Sequence, residues 1–89
     1  MPNETFAVIR HVPGTDLQAE QSEVLSAHEN IEEALDGAKQ CALNEFLVQV
    51  KDDPRPEMLE IGPTEFGYEI TYGRKTWMHF MVEVTQNAG

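Results

Sequence analysis

The chain has 89 residues, 40% hydrophobic and 25% charged, with 16 acids against 6 bases for a net charge of −10. That length makes a single domain spanning 1–89, burying about 60–65% of its unfolded surface around one core, with fraying expected only at 1–4 and 85–89. The composition is that of a globular protein. It holds no apolar run near the ~18–20 residues of a membrane span, no basic-then-apolar start of a secretory signal, and a single cysteine, Cys41. A cytoplasmic location without disulfides is therefore expected.

Thr5–Val12 (TFAVIRHV) is rich in β-branched and apolar residues and stops at the turn pair Pro13-Gly14, so it reads as a strand. Period-two alternation puts Phe6, Val8, Arg10 and Val12 on one side and Ala7, Ile9 and His11 on the other. Gly14–Gln21 is a polar loop or hairpin tip. Ser22–Ser26 (SEVLS) is a candidate short strand pairing back on the first. From Asn30 to about Gln49 the pattern changes: Ile31, Leu35, Ala38, Ala42 and Phe46 recur at helical spacing, with Ala34 and Cys41 widening the stripe. Asn30 is an N-cap with Glu33 three residues on, and Glu32 and Glu33 sit where the helix dipole favours acids. Gly37 inside this helix should cost about 1 kcal/mol relative to Ala, which a close helix–sheet approach would explain. Phe46–Val50 (FLVQV) fits either the end of the helix or the start of a strand.

Lys51–Pro56, with two prolines and two adjacent acids, is a loop. Three strands follow: Met58–Ile61, then a turn at Gly62-Pro63-Thr64-Glu65; Phe66–Tyr72, then a turn at Gly73-Arg74-Lys75; and Thr76–Val84. The spacing predicts an antiparallel meander. The fold class expected is α+β, a single antiparallel sheet of four or five strands with one helix packed on one face, in the order β-(β)-α-β-β-β.

In the last strand Met78, Phe80, Val82 and Val84 alternate with Trp77, His79, Met81 and Glu83; in the one before, Phe66, Tyr68, Ile70 and Tyr72 alternate with Gly67, Glu69 and Thr71. The apolar sets belong under the helix. Trp77, His79 and Met81, beside Glu69, are then left on an open sheet face, a candidate interface for a protein partner or a homodimer. Alternatively, another segment folds over that face.

The acidic charge is spread along the chain, about −3, −4 and −3 over residues 1–27, 28–50 and 51–89, so the folded body carries it. Such a field disfavours direct contact with nucleic acid or an anionic membrane and favours a basic protein surface; solubility alone is the plainer account. No catalytic, metal or cofactor motif is present. His11, His28 and His79 share no ligand spacing, and Cys41 lies on the apolar helix stripe with no neighbour in sequence to lower its pKa. Glu32-Glu33 and Asp52-Asp53 fall at a helix start and in a loop, where both are solvated, and Arg74-Lys75 is a charged turn.

Ser26–Ala42 (SAHENIEEALDGAKQCA) resembles the polar cap and helix start of many small β–helix–β domains, antitoxin domains of the HicB kind among them, over about a fifth of the chain. The Pro-Asp-Leu-Pro-Gly-type segment before that helix in those antitoxins is absent, and helix-start chemistry accounts for the likeness. In size and charge alone the chain is similar to phage and mobile-element inhibitors, including anti-CRISPR and DNA-mimicking proteins. The function expected is a non-enzymatic acidic module that docks on a basic, nucleic-acid-binding partner through Glu29, Glu32, Glu33 and Asp36. The alternative is a homo-oligomerising domain that uses the sheet face around Trp77.

Overall fold

A computed structural model of the protein describes residues 3–87, with side-chain surroundings for residues 4–85. Its strands are β1 (Asn3–Val12), β2 (Gln21–His28), β3 (Leu59–Thr64), β4 (Gly67–Tyr72) and β5 (Lys75–Asn87), with one α-helix, α1 (Ile31–Asp52), and a 3₁₀ turn at Pro56–Met58. The strands form one sheet in the order β2-β1-β5-β4-β3, every neighbouring pair antiparallel. The expected α+β architecture is the one that forms.

The chain leaves the sheet at one edge, β2, and re-enters at the other, β3. The outer strand axes of a five-stranded sheet lie about 19 Å apart, and a helix of this length runs about 33 Å. α1 thus spans the whole sheet and packs against every strand. Three alanines make the seam: Ala34, Ala38 and Ala42 are fully buried against Val8, Leu59, Ile70, Met78 and Phe80. Small side chains at i, i+4 and i+8 bring the helix axis close to the sheet, and Gly37 extends the seam toward β2. A Cβ there would stand 3.3 Å from His28 Nε2 and 3.6 Å from a Val8 methyl. No polar or charged residue is buried among the described residues.

Asn30 caps α1 as expected, its Oδ1 accepting from the Glu32 and Glu33 amides at 2.7 and 3.4 Å. The helix continues through Phe46–Val50 to Asp52, which resolves the ambiguity of that run in favour of helix. Ile31, expected in the core stripe, is instead 44% exposed, because it is the first helical residue and lies at the rim beside Phe66 and Val84.

Three expectations about the meander are corrected. The turn expected at Gly62–Glu65 is strand: β3 runs through Gly62-Pro63 to Thr64, and the chain reverses over Glu65-Phe66. Pro63 is tolerated because β3 is an edge strand and a missing N–H can face outward there. Phe66 consequently leaves the core set and is 57% exposed. Val84 also lies outside the core, beyond the last β4–β5 pair, Gly67↔Met81. The second turn forms at Gly73-Arg74, both with positive φ (58° and 71°), the backbone that matches strand twist in a two-residue hairpin.

β1 and β5 pair from His11↔His79 outward to Asn3↔Asn87. Of the ends expected to fray, Asn3–Glu4 and Thr85–Asn87 are thus within strands, and residues 1–2 and 88–89 lie outside the described residues. No described helix is long and apolar enough to cross a membrane.

Candidate functional site

The acidic end of α1 is built by its cap. Asn30 fixes the first turn, so Glu32 and Asp36, four residues apart, stack on one side of the helix. Glu33 stands one turn ahead of Gly37, on the side that approaches His28. Glu29 precedes the cap. All four are exposed. Ion pairs among the described residues join Arg10 to Glu23 and Glu45 and Arg55 to Glu57, His11 hydrogen-bonds Glu20, and none of these contacts reaches the four acids. Glu29, Glu32, Glu33 and Asp36 thus lie at the cap and in the first two turns of α1, all exposed.

The second surface is the sheet face opposite α1. No described element covers it. Cross-strand register places Val24, Ile9 and Met81 in one row and His11, His79 and Glu69 in the next. His11 Nε2 donates to Glu20 Oε1 at 2.7 Å, and His79 Nε2 shares a hydrogen bond of 2.9 Å with Thr64 Oγ1. The expected grouping of His79, Met81 and Glu69 on one face holds.

Trp77 does not join them. Ile70 pairs with Met78 and Thr71 with Thr76, so Trp77 is the extra residue of a bulge and drops out of the alternation. Thr76 takes the open-face position and donates to Glu69 Oε2 at 3.0 Å. The indole instead packs against the core cluster on the helix side and meets the Tyr72 ring edge-on, with centroids 6.1 Å apart. A surface cleft of about 400 Å³ opens beside this pair, bounded also by Thr15, Asp53 and Lys75.

The chemistry-bearing residues are dispersed. His28 ends β2 and bonds Ser26 Oγ at 2.9 Å. Among the described residues no cluster of three or more His, Cys, Asp or Glu side chains could hold a metal. Cys41 is half-buried on the β2 side of α1, near Leu25, Asn44 and Val48. Asp52 ends the helix, and Asp53 Oδ1 accepts from the Arg55 amide at 2.7 Å.

Three features were not read from the sequence. Arg10, which alternation already placed with Val8 and Val12, is held on the helix-side face by Glu45 at 3.6 Å and Glu23 at 3.9 Å, and no local pattern signalled these partners. Leu25 turns toward α1 because a second bulge lies between the Val8↔Ser26 and Ile9↔Val24 pairs. Ile31, Phe66 and Val84 make an exposed apolar rim, for which the sequence carries no signal. Comparison with protein-family models, curated proteins and solved structures finds no match.

Proposed function

We propose that the chain is a protein-binding module whose acidic surface docks on a basic patch of another protein, one that would otherwise face nucleic acid. The observation that carries this reading is the exposure of Glu29, Glu32, Glu33 and Asp36 without ion pairing, on a chain of net charge −10. Carboxylates held on a rigid helix turn present charge at fixed spacing. A field of this strength accelerates encounter with a basic partner and repels phosphate backbones.

The test is retention of partners on the immobilised protein at about 50 mM salt, where charges act over more than 10 Å. The Glu29→Lys, Asp36→Lys double variant is the comparison; these positions leave the Asn30 cap untouched. Affinity for a retained basic protein should fall about ten-fold or more, and duplex DNA should compete with the chain for that protein. Equal affinity of wild type and variant refutes the charge-docking reading.

A second reading rests on the uncovered sheet face: a homo-oligomer built through the row of Ile9 and Met81, the acids serving solubility. It predicts a dimer by light scattering that persists from about 50 to about 500 mM salt, since apolar contacts are not screened, and that Met81→Lys dissociates. A monomer at both salts rules it out.

A further inference from the structure

We infer that the outer edge of β2 is a strand-addition site for an extended, basic segment of a partner protein. The inference rests on the acidic docking reading and specifies how the partner engages. The sheet has two edges, and they differ. β3 carries Gly62 and Pro63, and a proline on an edge blocks an incoming strand. β2 has eight residues and no Pro, Lys or Arg. Of the usual guards of a free edge it carries an acid, Glu23, and a bulge beyond Val24, which leave Gln21–Val24 open to a basic strand. It is hydrogen-bonded to β1 alone among the described strands.

Exposed apolar side chains flank this edge on both faces. Val24, opposite Ile9, stands on the uncovered face and is 65% exposed. On the helix face Leu25 and Val48 border a shallow groove with Cys41 and Asn44. A strand laid along β2 would cover Val24 with one row of side chains and Leu25 and Val48 with the other. Pairing with β1 is unbroken from Val12↔Gln21 to Ile9↔Val24 and shifts at the bulge beyond. The incoming strand therefore pairs along Gln21–Val24.

Charge selects the occupant. Glu20, Glu23 and Glu29 border the edge in sequence, all exposed, Glu20 accepting a hydrogen bond from His11. Arg10 is shared between Glu23 at 3.9 Å and Glu45 at 3.6 Å, so one negative charge of the three groups is left uncompensated. A second copy would set this acidic rim against its own image. A strand alternating apolar with Lys or Arg residues sets its apolar row over Val24 on the uncovered face. Its basic row falls on the helix face, where Glu23 stands, with the aliphatic stems over Leu25 and Val48.

The probe is a capped peptide of about seven residues alternating Lys and Val, a typical strand length, titrated into the isotopically labelled protein at about 50 mM salt. Amide shifts and exchange protection should concentrate in Gln21–Val24. Val24→Lys, at an exposed position, should weaken binding about ten-fold. The same peptide N-methylated at every residue keeps its charge and loses its strand donors, and it should not bind at this edge. Absence of binding by the parent peptide, perturbation centred elsewhere, or a β2–β2 contact between two copies overturns the inference. Equal binding of both peptides, weakened by Glu29→Lys with Asp36→Lys, overturns strand addition and leaves acidic docking standing. Binding at β2 that ignores salt does the reverse.

Discussion

Replacing Gly67 with Ala should be among the most damaging single-methyl changes in this chain. A Cβ at that position would lie 1.9 Å from the Phe80 carbonyl oxygen and 3.0 Å from Met81 Cα. The obstacle is the backbone of β5, so no rotamer change relieves it. Restoring even a 3.0 Å contact requires β4 and β5 to part locally by about 1 Å, where Val82 N now donates to the Phe66 carbonyl at 2.8 Å. Weakening that bond and its ladder neighbour costs about 1–1.5 kcal/mol each, and disturbed packing of Phe80, 2% exposed, adds about 1–2 kcal/mol. The reduced entropy of the unfolded Ala chain offsets about 0.4–1 kcal/mol. The net loss is about 3 kcal/mol, read as a fall in thermal midpoint of roughly 12–24 °C for a domain this size. Gly62→Ala is the matched control: nothing lies within 4 Å of its added Cβ, and it should stabilise by about 0.5 kcal/mol. Urea unfolding of both variants decides the matter. A Gly67→Ala loss below about 1 kcal/mol refutes the argument that β4 and β5 are in backbone contact there.

Other consequences follow from the helix seam and its cap. Ala38→Leu introduces bulk where α1 meets the sheet with no exposure at all and should destabilise by about 1–3 kcal/mol in denaturant unfolding. Asn30→Ala removes the acceptor of the Glu32 and Glu33 amides and should cost about 1 kcal/mol, with amide exchange accelerating first in the opening turn of α1.

The elements that local chemistry specifies were legible before the structure. TFAVIRHV has the alternation and β-branching of a strand, Asn30 has a capping side chain, and the alanine stripe has helical spacing. What escaped depends on neighbours that no window of sequence contains. Strand periodicity is blind to a bulge, because the extra residue at Trp77 or Leu25 is set by pairing with β4 or β1. Gly62-Pro63 carries a turn signature, and it becomes strand only because the sheet order puts β3 at an edge. Phe46–Val50 is apolar enough for either element, and the need to reach β3 across the sheet makes it helix. The same division holds for the candidate site. Exposure of Glu32 and Asp36 follows from the helical wheel opposite Ala34 and Ala38, whereas the removal of Trp77 from the open face required the register.

The charge and the topology bear on one problem. A single helix over a five-stranded sheet leaves one face and two edges to solvent, and an edge without proline or lysine is a template for unwanted pairing. Here β3 is interrupted by Pro63, while β2 is bordered by Glu20, Glu23 and Glu29. Between copies that each carry −10, acids on the edge raise the cost of β2–β2 contact as effectively as lysines would on a basic protein. The protection is selective in sign: the field that holds identical chains apart draws a basic strand in. Salt should therefore act on the two processes in opposite directions, as screening weakens capture of a basic segment and relaxes the repulsion between copies. A chain whose self-association and basic-peptide affinity both rise with salt would contradict this account of its acidic edge.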